Sequence, residues 1–143
     1  MLSKSCEYAI RAVLYLSIHS NEHVKVDIRI IATELNIPKQ FLNKILQKLA
    51  RNNLVYSSRG NSGGFYIDSV IQKKPILAIV ELIDGLDEFH KCSMGLEKCS
   101  HSKPCAFHKA FHKHRIEMLK LMKNTTIIEM SSDVKEGLAF LVN

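Results

Sequence analysis

Residues 28–52 carry two helical patterns of apolar residues with only a two-residue break between them. The stretch that follows, VYSSRGNSGGFYI, alternates in polarity and turns on three glycines. Few folds accept that order. A helix-turn-helix needs a small residue where its second helix crosses the first, a turn residue that tolerates left-handed backbone, and spaced apolar residues that lock the pair. Ala32 is the small residue, and Asn36 suits the turn because Asn enters the left-handed region more readily than most residues. Ile31, Leu35, Ile37, Leu42 and Ile45 take the apolar positions. Pro38 suits the first turn of a helix, where its missing N–H would have had no partner.

Alone, this pair reads equally well as an ordinary helical hairpin. The glycine hairpin behind it, with Arg59 beside Gly60, Gly63 and Gly64, is what a winged helix requires. Glycines let a wing backbone approach phosphates closely, and Arg59 can enter a minor groove or pair with phosphate. The second helix, expected over 39–52, divides by face. Phe41, Leu42, Ile45, Leu46 and Leu49 are expected inward, and Lys39, Gln40, Asn43, Lys44 and Gln47 outward. Gln and Asn can pair bidentately with adenine, and Lys with guanine or phosphate. The DNA-contacting candidates are therefore Lys39, Gln40, Asn43, Lys44, Arg59, Gly60 and Gly63. The net charge of +6 favours an anionic partner, and its distribution says more: between Asn36 and Ile67 there are five basic residues and no Asp or Glu.

The remaining periodicities are helical. They predict an amphipathic helix over 5–19, another over 76–86, a long one over 106–123, and a short last element opened by a capping-box pattern at Thr126 to Glu129. The expected fold is mainly α with a small β wing. Residues 1–75 form a winged helix-turn-helix domain, and 76–143 hold a sensor loop, about 90–105, and a long dimerisation helix. Phe107, Phe111, His114, Met118 and Leu121 follow alternating spacings of four and three, the seam of a helix that packs on a partner. Two heptads are also compatible with a seam buried inside one subunit.

Between Lys91 and His114 the chain gathers three of its four cysteines and four of its seven histidines. No apolar run approaches membrane-spanning length, and the apolar part of the first twenty residues is interrupted by Arg11 with no small-residue cleavage site after it. The expected compartment is the reducing cytoplasm, where clustered cysteines bind metal or sense redox state more often than they form bridges.

EYAIRAVLYLS in the first helix, IPKQFLNKILQKLARNNLV in the second helix of the pair, SSRGNSGGFYI in the wing and the cysteine trio before a long helix together resemble the IscR-type winged-helix regulators of bacteria. The resemblance spans about residues 3–125. It implies a homodimeric, sequence-specific transcription factor on double-stranded DNA, a repressor by preference, whose long helices cross. In the cluster-binding branches it implies an iron–sulfur centre held by three cysteines near the dimer interface.

The cysteines here are Cys92, Cys99 and Cys105, with six and then five residues between them, and two more residues lead to His108. Iron–sulfur clusters are held by thiolates. The first gap of six departs from the commoner five in the family and leaves 2Fe–2S and 4Fe–4S both open. The resemblance offers two fourth ligands: His108, which is preferred, or Glu7 of the partner subunit. Cys6 reads as a small buried residue, and His112 and His114 as helix surface or interface. Zinc is the chemical rival, although Cys and His in zinc sites usually come in short paired spacings, and a bare thiol switch is another. A Cys–His enzyme is a third class, disfavoured because it leaves the DNA-reading half unexplained.

Overall fold

The computed structural model describes residues 2–92, 94–97 and 100–143. Seven helices and one two-stranded sheet are present among them: α1 (Lys4–His19), α2 (Ile28–Glu34), α3 (Lys39–Arg51), β1 (Tyr56–Ser58), β2 (Gly64–Tyr66), α4 (Ser69–Gln72), α5 (Leu77–Ile83), α6 (His108–Asn124) and α7 (Ile127–Lys135). A 3-10 turn, Asp87–Phe89, follows α5. The mainly helical fold with a small wing matches the sequence expectation.

Helix α1 is the axis of the molecule. It starts at Ser3, whose hydroxyl accepts the Cys6 N–H at 3.1 Å, and it buries Cys6, Ala9, Ala12, Val13, Leu14, Leu16 and Ser17. The small residues let other helices approach, and α3, α5 and α7 all pack on it, as does β2. Its N-terminus and its middle are tied to other elements. The Ser3 N–H donates to Asp84 Oδ2 at 2.8 Å and the Ser3 hydroxyl donates to Asp84 Oδ1, so the α5 C-terminal carboxylate sits at the N-terminus of α1, where negative charge is favoured. Arg11 donates to the Leu35 carbonyl and thereby satisfies an orphan group at the end of α2.

The helix-turn-helix forms for the reasons the sequence suggested. Asn36 takes φ +50°, and the Ile37 N–H bonds back to the Ala32 carbonyl at 2.9 Å. Pro38 stands at the N-cap of α3, one position earlier than the first turn, with the Leu42 N–H on its carbonyl at 3.1 Å. Leu42, Ile45, Leu46 and Leu49 are buried as expected. Phe41 is not: it is 59% exposed. It lies about 100° around the helix from Leu42, the centre of the apolar stripe, so it falls at the edge of the stripe rather than within it.

In the wing, Tyr56, Ser57 and Ser58 pair antiparallel with Tyr66, Phe65 and Gly64. Val26, ahead of α2, adds a further rung on β2: it exchanges two backbone hydrogen bonds of 2.9 Å with Phe65. That close approach requires Gly64, where a Cβ would stand 2.6 Å from the Val26 carbonyl oxygen. The four-residue α4, capped by the Asp68 side chain accepting from Ile71 N–H at 2.8 Å, is too short to show a period and has no counterpart in the sequence reading. Helix α6 begins at His108, two residues later than its periodicity suggests.

Helix α7 returns the chain to α1. Thr126 and Glu129 make the expected capping box, with the Thr126 N–H on Glu129 Oε2 at 2.7 Å. Ile127 is fully buried, and the Ser131 and Ser17 hydroxyls hydrogen-bond at 2.8 Å in the interior. Ile127→Ala should therefore lower the unfolding free energy by about 2 to 5 kcal/mol in urea titrations. A loss below about 0.5 kcal/mol, the usual range for a surface site, would mean that α7 is not part of the core.

Candidate functional site

Lys39, Gln40, Asn43 and Lys44 are all exposed on α3, continued toward its end by Lys48 and Arg51, and Gln47 is half-buried. Phe41 stands exposed on the same helix and adds an apolar group able to touch a thymine methyl. Arg59 and Gly60 are exposed at the wing tip. Gly60 has φ +100°, and its carbonyl accepts the Gly63 N–H at 2.9 Å to close the turn. Gly63 is needed by the wing itself, since a Cβ there would run into the Ser58 carbonyl oxygen. Sequence reasoning missed Lys25. The Val26 rung brings it to the wing, where its Nζ donates to Ser58 Oγ at 3.2 Å and lies 5.7 Å from the Tyr66 ring centre. No local pattern signals that placement. Arg29, also basic, is taken up by Asp27 at 2.8 Å.

The cysteine segment joins the 3-10 turn to α6. Cys92 and Cys105 are half-buried and close enough for Cys105 to act on the Cys92 thiol; Cys99 lies outside the described residues. Backbone hydrogen bonds from Met94 and then Leu96 hold the Cys92 thiol below its usual pKa, with smaller help from Cys105 and the Arg115 charge. Cys105 precedes α6, and its carbonyl accepts the His108 N–H at 3.0 Å. Arg115 reaches back from α6 to donate to the Lys91 carbonyl. Cys6 is remote in character: fully buried, its thiol is pushed up to about 12 by burial and then by the Asp84 carboxylate. Glu7 is exposed at the start of α1 and pairs with Lys4 at 2.8 Å.

His108 is buried, and its Nε2 lies 3.1 Å from Nδ1 of His101. His112, one turn further along α6, stacks on His108 with ring centres 5.2 Å apart. The His101 ring meets both edge-on, at 4.7 and 4.5 Å. Burial, then the His101 and His108 rings and Arg115, hold His112 below the ordinary imidazole pKa. The sequence reading treated His112 as surface or interface, and the structure places it beside His108 instead. The i, i+4 spacing of the two was the available signal.

Helix α6 carries two stripes. His108, His112, Arg115, Leu119 and Met122 are buried or half-buried, whereas Phe107, Phe111, His114, Met118 and Leu121 are all exposed. Met118 and Leu121 are 45% and 67% accessible, so the expected seam is not consumed inside the subunit.

Residues 2–133 match the Rrf2 family, described as iron-dependent transcriptional regulators. The chain belongs to the Rrf2 family. A protein of Aquifex aeolicus (strain VF5), provisionally named an HTH-type transcriptional regulator, is 30% identical over 91% of this chain and 90% of its own. The HTH-type transcriptional regulator IscR of Erwinia tasmaniensis is 26% identical over 90% of this chain and 77% of that protein. Among solved structures, CymR, the global cysteine regulator of B. subtilis, superposes with a TM-score of 0.75 at 16% identity, covering 92% of this chain and 96% of that one. T. potens IscR gives 0.73 at 18% identity, covering 98% and 92%. These likenesses carry the winged-helix fold. This Rrf2 protein is thus a DNA-binding transcriptional regulator and not an enzyme. Among the described residues no helix is long and apolar enough to cross a membrane.

The thiols should differ sharply in reactivity. At pH 8 a thiol with a pKa of about 12 is thiolate roughly once in ten thousand molecules, and the thiolate is the nucleophile. Iodoacetamide labelling of the folded regulator, read by peptide mass spectrometry, should modify Cys92 well before Cys6. Equal rates would contradict the burial of Cys6.

Proposed function

We propose that this Rrf2 regulator is a cytoplasmic homodimeric repressor whose operator affinity is set by an iron–sulfur cluster held by Cys92, Cys99 and Cys105. The observation that carries the reading is the placing of two half-buried thiols, Cys92 and Cys105, on one segment within reach of each other, with the backbone at Met94 and Leu96 favouring the Cys92 thiolate. Thiolates so placed fit a cluster, and N–H groups directed at a cluster sulfur are among the levers that set its potential. A cluster supplies a redox-responsive, removable tie among three thiolates. The fourth ligand is His108 or Glu7 of the partner subunit; His108 meets His101 and Glu7 pairs with Lys4, so either must exchange a partner to bind. Zinc on the same thiolates is the rival occupant.

The rest of the mechanism belongs to the chain's own residues. The exposed stripe of Phe107, Phe111, His114, Met118 and Leu121 pairs α6 with its copy across a two-fold axis. That places two α3 helices on half-sites about one helical turn, 34 to 36 Å, apart. Gln40 and Asn43 read base edges, Phe41 a thymine methyl, and Lys39, Lys44, Arg59 and the wing backbone at Gly60 and Gly63 hold phosphates. Segment 90–107 sits between α5 and α6, so ordering it fixes the angle at which each winged helix leaves the dimer axis. A dimer seated on an operator that overlaps a promoter excludes polymerase, which is repression.

Operator and nonspecific DNA affinities should be measured at one salt concentration for anaerobically purified protein, cluster-free protein and the Cys92→Ala, Cys99→Ala and Cys105→Ala variants. Operator affinity should differ between the cluster-bearing and cluster-free forms by about 5- to 150-fold, the usual range of such coupling, with nonspecific affinity little changed. Arg59→Ala should weaken both affinities, because phosphate contacts carry no sequence information. Equal operator affinity in all the cysteine forms would remove the cluster from the switch.

A further inference from the structure

The geometry points to a second, all-nitrogen metal site in this chain, formed by His101, His108 and His112 and suited to a divalent transition-metal cation of the zinc class. Their ring nitrogens lie within 4.8 Å of one another. His108 and His112 are presented by one face of α6 a single turn apart, the spacing at which two helical histidines can share an ion. His101 closes the group from the segment ahead of the helix. Zinc–nitrogen bonds of about 2.0 to 2.1 Å in a tetrahedron put ligand atoms about 3.3 Å apart. His101 Nδ1 and His108 Nε2, at 3.1 Å, already stand near that separation, and modest ring rotation brings in His112.

The proton balance is simple. One of the two facing nitrogens of His101 and His108 carries a hydrogen in the bond between them. Shifting it to the far side of its own ring turns all three lone pairs inward, and three neutral imidazoles bind the ion with no net proton release. The fourth position opens onto a cleft of about 250 Å³ that the three rings line, leaving it to water. Arg115 lines the same cleft, and its charge works against a cation, so affinity depends on all three imidazoles together. The donor set selects against magnesium and calcium, which take oxygen ligands. It needs none of the three cysteines. A bound ion would fasten residue 101 to the first two turns of α6, ordering the sensor segment by a route independent of the cluster.

The test uses tag-free, chelator-treated, full-length protein titrated with Co(II), a visible reporter for zinc sites, beside the triple variant Cys92→Ala, Cys99→Ala, Cys105→Ala. Both should take up one equivalent at the site with tetrahedral d–d absorption. The triple variant should lack the thiolate-to-cobalt charge-transfer band. Zn(II) should displace the cobalt, and Mg(II) should not. His101→Asn changes an exposed residue and leaves the core intact; in the thiol-free background it and His112→Asn should each weaken Co(II) binding by more than about 10-fold, the low end of what losing even an outer-shell partner does. Circular dichroism confirms that each variant is folded, and His101→Asn suffices if His112→Asn is not. No cobalt band in the folded triple variant, or unchanged affinity in His101→Asn, would overturn the site. Because the thiol-free protein cannot hold a cluster, its result stands apart from the fate of the cluster proposal.

Discussion

Everything in this regulator is arranged around one buried helix fastened at its N-terminus and at its middle. Helix α1 puts Cys6, Ala9, Ala12, Val13 and Leu16 wholly out of solvent, and a helix with so much of its surface covered cannot tilt without moving its neighbours. Arg11 fixes it to the end of α2, hence to the turn that aims α3. Ser3 fixes it to Asp84, the last residue before the chain leaves α5 for the sensor segment. The helix-turn-helix and the cysteine segment are therefore joined through a single buried helix. Removing that helix's burial would cost far more than any surface contact contributes.

On the proposed function, that helix is the route by which the loop acts on DNA without touching it. Segment 90–107 hangs between Asp84 and α6, and it is gripped at its start by Arg115 donating to Lys91 and near its end by His108 against His101. Met94 and Leu96, just after Cys92, are exposed rather than packed on the core. The outer stripe of α6 is apolar and exposed from Phe107 to Leu121, while its inner stripe starts with imidazoles and ends with Leu119 and Met122 on the subunit. On the proposed function, whatever ties the segment down sets the pose of the helix that carries the outer stripe.

How much of this was legible in the sequence depends on the range of each interaction. Asn36 at φ +50°, the burial of Leu42, Leu46 and Leu49, the wing and the Thr126 cap all follow from local rules, and all are found. Phe41 misled because a stripe read by residue type takes in any large apolar side chain near its edge, whereas the helix angle excludes it. The Lys25 contact and the Val26 rung span 33 and 39 residues and leave no periodic trace. The histidine group fell between the two cases. His108 and His112 were visible as a pair, but His101 joins them only through the fold of the segment, and the cysteines drew His108 into a different ligand set. The third cysteine of the expected site, Cys99, lies outside the described residues, so the thiolate reading rests on Cys92, Cys105 and their surroundings.

The central claim is that cofactor at the sensor segment changes the distance between the two α3 helices of a dimer. A nitroxide placed at Arg51, exposed at the end of α3, through a non-cysteine chemistry reports that distance by pulsed electron–electron resonance. The account predicts two distinct distributions for cofactor-loaded and cofactor-free protein, one of them coinciding with the operator-bound dimer. Identical distributions in the two states, or no intersubunit distance in either, would contradict it.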